Sequence, residues 1–106
     1  MAVELTAETF KGAVADAAEA GKPMLVDFWA PWCGPCRNMA PVVESIAEER
    51  KDIMVCKVNV DEDPDLAAEF DVSSIPCFVV IKNGETAATR VGGCSKLMLE
   101  EFVDNA

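Results

Sequence analysis

Two cysteines, Cys33 and Cys36, flank Gly34-Pro35 in the stretch WCGPC. Thiols at i and i+3 on a helix lie on one face, close enough for a reversible disulfide if the first sits in the looser N-terminal turn. A thiol there faces unsatisfied backbone N–H groups and the positive end of the helix dipole, which favour its thiolate. Cys33 is therefore read as the nucleophile. Cys36, one turn further in and expected to be the more buried, is read as the resolving thiol that attacks a mixed disulfide and releases reduced substrate. Pro35 limits how far the pair can reorganise, and it adds no positive charge, so thiolate stabilisation is expected to be moderate.

Directly before this motif, Asp27 interrupts the apolar run PMLVDFWA. An ionised carboxylate in such a strand is costly unless paired, and desolvation raises its pKa. That suits a group taking the proton from Cys36 as it attacks. Lys57, alone in the apolar run IMVCKVNV, is its natural partner. A purely structural Asp27–Lys57 pair and a proton-transfer role both stay open.

These groups need a scaffold. A short strand at Val3 to Leu5 precedes Thr6, read as an N-cap, and a helix from Ala7 to Ala20 that Gly21 ends. The continuous apolar content of residues 24–30 predicts a central strand buried on both faces. Helical spacing of Met39, Val42, Val43 and Ile46 predicts a helix from Gly34 to about Lys51, with Pro41 inside it as a kink. A second apolar strand spans 53–60, and Asp63-Pro64 reads as the N-cap and N1 of a short helix reaching about Phe70. A strand at 77–82, the turn Asn83-Gly84 and a strand at 86–91 make a hairpin. Gly92-Gly93 breaks it, and Ser95 caps a last helix from Lys96 to about Asn105. The order βαβαβαββα predicts an α/β fold: a mixed sheet, parallel crossovers first and an antiparallel hairpin last, with helices on both faces.

At 106 residues, a single domain spanning 1–106 is expected. Nineteen acidic residues against nine basic ones give a net charge of −10, which repels nucleic acid and anionic membranes. The N-terminus has no basic region leading an apolar stretch, so a cytoplasmic location is expected. In that reducing pool five cysteines are not expected to form a static disulfide framework. Cys56, Cys77 and Cys94 stand alone, outside any second C-x-x-C.

The segments VDFWAPWCGPC, KVNVDEDPDLAAEFDVSSIP, VVIKNGE and VGG, in that order, resemble the thioredoxin family along essentially the whole chain. The resemblance implies a thioredoxin fold and a protein-disulfide reductase whose only redox group is the Cys33–Cys36 disulfide, with no bound cofactor or metal. It implies a cis Pro76 facing Cys33. It also implies a groove of Trp32, Gly34, Pro35, Ile75, Pro76, Gly92 and Gly93, where an extended substrate segment pairs with the backbone near Ile75. Trp29 would pack beneath the active-site turn. Disulfide-containing proteins would be the substrates, an NADPH-dependent flavoprotein reductase would restore the dithiol, and the chain would act as a monomer.

The sequence departs from the family pattern at Cys77, a position where members commonly carry Thr. A buried, inert thiol is one reading. A side disulfide or metal capture with Cys33 or Cys36 is the other. Cys94, after two glycines, is expected to be exposed and open to glutathionylation, and Cys56 to be core. Three alternatives to a reductase stay on the table. An oxidase or isomerase would prefer a secretory signal and a more activating dipeptide than Gly34-Pro35. A zinc module would need ligands beyond one C-x-x-C. A non-catalytic subunit could bind partners through the same groove.

Overall fold

The computed structural model describes residues 1–106. The elements are β1 (Val3–Leu5), α1 (Ala7–Ala20), β2 (Met24–Trp29), α2 (Gly34–Glu49), β3 (Met54–Asn59), α3 (Pro64–Glu69), β4 (Cys77–Lys82), β5 (Glu85–Val91) and α4 (Lys96–Asp104). They build one five-stranded sheet in the order β1-β3-β2-β4-β5. β1, β3 and β2 run parallel, while β4 is antiparallel to both β2 and β5.

The apolar runs in β2 and β4 occupy the two strands that helices cover on both sides. Met24 to Phe28 and Cys77 to Ile81 are all buried. Alternate side chains enter opposite layers, as the strand period of two requires. Met24, Val26, Phe28, Cys77, Val79 and Ile81 pack with Phe10 and Ala17 of α1 and Leu66 of α3. Leu25, Phe78 and Val80 pack on the other face with Met39, Val43 and Ile46 of α2 and Leu99 and Val103 of α4. Asp27 lies in the second series, on the face covered by the helix that carries Cys36.

Local signals place most element ends. Gly21 closes α1 in the left-handed region at φ 70°, and Ser95 Oγ accepts from Met98 N at 3.2 Å. The hairpin turn uses left-handed Asn83 and Gly84, at φ 51° and 80°. α2 continues through Pro41, whose missing N–H deprives the Arg37 carbonyl of its intrahelical donor. It ends two residues short of the predicted Lys51. Arg50 leaves helical geometry, and its guanidinium reaches Asp52 at 2.9 Å, Asp104 at 2.7 Å and Glu100 at 3.3 Å. The Asp63 side chain does not cap α3 as expected; its Oδ1 accepts from Ala7 N at 3.0 Å and so serves the start of α1.

Candidate active site

β2 ends at Trp29, and the turn Ala30 to Trp32 delivers the chain to α2 with Cys33 as its N-cap. Cys33 N donates to Ala30 O at 3.1 Å, and Arg37 Nη1 donates to Pro31 O at 3.0 Å, which hold the turn. Cys33 and Cys36 form a disulfide with their Cα atoms 5.2 Å apart. Cys36 N donates to Cys33 Sγ at 3.2 Å, so an otherwise unpaired N–H of the first helical turn points at the first sulfur. Both residues are buried, at 5% and 3% exposure, so Cys36 is only marginally the deeper. They pack with Ala30, and Trp29, Val60 and Ile75 close around them.

Three further segments meet the disulfide. The Ile75–Pro76 peptide bond is cis, and Ile75 O lies 3.9 Å from Cys33 Sγ. Gly92 N donates to Pro76 O at 2.8 Å from a backbone at φ 96°, a conformation that favours glycine. A Cβ on Gly93 would stand 3.7 Å from Met39 Sδ, so that loop rests on α2. Trp32 is 66% exposed, and its Nε1 donates to Asp61 Oδ2 at 2.9 Å. Pro35 is exposed and Gly34 and Ile75 half-buried, while the Pro76 ring is buried. Trp32, Gly34, Pro35, Ile75 and Pro76 themselves carry no charge, but the Arg37 guanidinium beside Gly34 and the Asp61 carboxylate on Trp32 place one charge of each sign at the rim.

Asp27 is 1% exposed, and its Oδ1 has no hydrogen-bond partner. Burial pushes its carboxyl up to about 7, against a pull downward from Lys57 and with a smaller push upward from Glu4. Lys57 is its register partner on β3. It is not, however, joined to it by an ion pair: none of the ion pairs in the molecule involves either residue. The ammonium instead lies over the Trp29 ring, 4.7 Å from the centroid, a favourable cation–π placement. Trp29 in turn donates from Nε1 to Glu4 Oε2 at 3.1 Å.

The three remaining thiols separate. Cys56 is fully buried, and desolvation pushes its thiol up to about 12. Cys77 is 2% exposed and belongs to the layer beneath α1 and α3, on the opposite side of the sheet from Asp27; burial and the charge of Asp27 both raise its thiol. Cys94 is half-buried rather than exposed, packed at the edge of the α2–α4 layer with its N–H 3.5 Å from Met39 Sδ. No three Cys, Asp or Glu side chains come together in a metal-holding group. Glu4 and Asp61 did not emerge from the sequence, and Met39 emerged only as a core position of α2, not as the residue beneath Gly93 and Cys94. Asp61 is one acid among several in NVDEDPD, and only the fold shows which one meets Trp32.

A family model described as Thioredoxin matches residues 1–105. The chain is 45% identical over 105 residues to Thioredoxin 1 of Synechococcus elongatus, covering 98% of this chain and 95% of that one. It is 47% identical over 98 residues to the chloroplastic Thioredoxin M-type of Chlamydomonas reinhardtii, covering 92% of this chain and 68% of that protein. The X-ray structure of Fasciola hepatica thioredoxin superposes with a TM-score of 0.89 at 36% identity, over 99% of this chain and 98% of that one.

Proposed function

The chain belongs to the thioredoxin family and is a protein-disulfide reductase with Cys33 and Cys36 as its active-site pair, and from this premise we propose the role of each surrounding residue. In the reduced protein the Cys33 thiolate, favoured by the helix start, attacks one sulfur of a substrate disulfide. A Cys33–substrate disulfide forms and the other substrate sulfur leaves as a thiolate. Cys36 then gives its proton to Asp27 and attacks Cys33 Sγ, expelling the second substrate thiolate. Two electrons have passed to the substrate, and the Cys33–Cys36 disulfide remains.

Asp27 is the acid–base group. The observation that carries this is a buried carboxyl with an unpartnered oxygen, poised near pH 7, on the sheet face beneath the helix of Cys36. Lys57 moderates its charge. Trp32, Gly34, Pro35, Ile75, Pro76, Gly92 and Gly93 form the substrate groove, supported by Trp29 below and by Pro41 within α2. Ile75 O beside Cys33 gives an extended segment a backbone acceptor next to the sulfur. One chain supplies every group named, so a monomer suffices.

An NADPH-dependent flavoprotein reductase is the electron donor we assign, and the cytoplasm the compartment, since net reduction of substrates requires a reducing supply. The test for Asp27 is the rate of protein-disulfide reduction between pH 5.5 and 8.5. The parent rate is expected to fall below about pH 7 as Asp27 takes up its proton. Asp27→Asn is expected to lose that inflection and to resolve mixed disulfides roughly a hundredfold more slowly. Identical profiles would leave Asp27 a structural residue.

A further inference from the structure

Glu4, Lys57 and Asp27 stand in one row across three adjacent strands. Glu4 pairs in register with Lys57, and Lys57 with Asp27. Side chains in one row project to the same face. The row therefore places a lysine between two carboxylates, one at the sheet edge in contact with solvent and one fully buried. Lys57 forms an ion pair with neither. What fixes its ammonium is the Trp29 ring at 4.7 Å, and what fixes that ring from its polar end is the Glu4 carboxylate, 3.1 Å from Nε1.

We propose that Glu4 is a positioning residue for the buried acid: by holding the Trp29 indole it holds Lys57 over the ring, shared between two carboxylates rather than committed to Asp27. The proposal rests on the reading of Asp27 as the acid–base group for its bearing on the reaction, and on the row itself for its geometry.

The consequence follows from sign alone. Glu4 repels negative charge at Asp27, and it competes for the cation that would stabilise that charge. Both effects keep Asp27 protonated to higher pH, in the direction the Glu4 charge acts on that carboxyl. Other groups around the row are few. Cys77 on β4 senses Asp27. Arg90 on β5 occupies the same row beyond Phe78. Glu62 and Asp63 act on Glu4. The disulfide at the head of α2 carries no charge in the oxidised protein.

The experiment is a carbon-13 NMR titration of the Asp27 carboxyl in the oxidised protein, for the parent and three variants. Glu4→Gln keeps an acceptor for Trp29 and removes the charge. Glu4 and Asp27 lie two strand spacings apart, roughly 10 Å, so the Asp27 midpoint is expected to fall by about half a pH unit. Glu4→Leu also releases the indole and with it Lys57; it is expected to lower the midpoint further than Glu4→Gln does and to move the Trp29 indole N–H resonance, and a midpoint equal to that of Glu4→Gln would overturn the hold through Trp29. Glu48→Gln, on the exposed face of α2, is expected to leave Asp27 unchanged. A Glu4→Gln midpoint equal to the parent, or an equal shift from Glu48→Gln, would overturn the proposal. The pH profile of disulfide reduction by Glu4→Gln separates the two readings. If the carboxyl midpoint moves and the rate profile moves with it, both stand; if only the carboxyl moves, Asp27 is not the acid–base group, while the action of Glu4 on that carboxyl survives.

Discussion

Asp27 and Lys57 face each other across β2 and β3, yet the Lys57 ammonium lies against Trp29 and leaves one Asp27 oxygen without any partner. Ionising Asp27 therefore opposes folding. The unfolded chain releases this proton near the ordinary 3.8, the folded protein only near 7. Between those values the folded state binds the extra proton, so stability falls as pH rises through the window and the full penalty is present above it. At 1.36 kcal/mol per pH unit the penalty is about 4 kcal/mol.

Replacing Asp27 by asparagine is thus expected to stabilise the oxidised protein at pH 8 and to have little benefit near pH 4. The gain is expected to be smaller than about 4 kcal/mol, because a buried amide with incomplete hydrogen bonding costs about 1–3 kcal/mol. Urea denaturation at the two pH values measures it. A gain at pH 8 no larger than the gain at pH 4 would mean that Asp27 ionises freely in the fold.

The two active-site sulfurs are expected to differ in trapping. Cys36→Ser retains the thiol at the helix N-cap and is expected to accumulate a mixed disulfide with a disulfide-containing peptide, linked through Cys33. Cys33→Ser is expected to give no comparable adduct. Mass spectrometry of quenched mixtures reads the linkage. Adducts on Cys36 forming at the parent's rate would reverse the assignment of nucleophile, and with it the role of the N–H that points at Cys33 Sγ.

Much of this architecture was legible because local rules and packing agree. The apolar runs of β2 and β4, Gly21 after α1 and Asn83-Gly84 in the hairpin each carry a signal within a few residues. The Cys33–Cys36 pair was legible for the same reason, since spacing and helix start suffice. What stayed hidden depends on distant segments meeting. Asp63 looked like a cap for its own helix and instead serves α1, 56 positions earlier in the chain. An Asp27–Lys57 ion pair, one of the two readings left open, is not formed: the ammonium lies over Trp29, and only sheet register brings Glu4 to that ring. Cys94 follows two glycines, yet Met39 from α2 covers it in part.

Thiol labelling is expected to follow thiolate character first and burial second. In the fully reduced native protein at pH 8, an alkylating reagent is expected to modify Cys33 first and half-buried Cys94 later. Cys56, pushed up to about 12, and Cys77, raised by burial and by the Asp27 charge across the sheet, are expected to stay unmodified until the chain unfolds. Timed alkylation with peptide mapping distinguishes these classes. Native-state modification of Cys77 at a rate near that of Cys33 would show that the third thiol reaches the active-site chemistry.

Gly92 and Gly93 are adjacent but answer to different constraints, and paired alanine variants separate them. Gly92 adopts φ 96° while its N–H holds Pro76 O at 2.8 Å. An added Cβ meets no atom within 4 Å there, so the cost is conformational, about 1–2 kcal/mol. Gly93 has no left-handed backbone, and its Cβ would make ordinary contact with Met39 at 3.7 Å, so Gly93→Ala is expected to change stability by less than about 0.5 kcal/mol. Gly92→Ala is also expected to shift the backbone at Pro76 and raise KM for a protein disulfide severalfold. Reduction of a small aromatic disulfide, which needs no backbone pairing along the groove, is expected to change little. Urea denaturation together with KM for the two substrates tests this. Equal losses on both substrates would move the role of Gly92 from the groove to the disulfide itself.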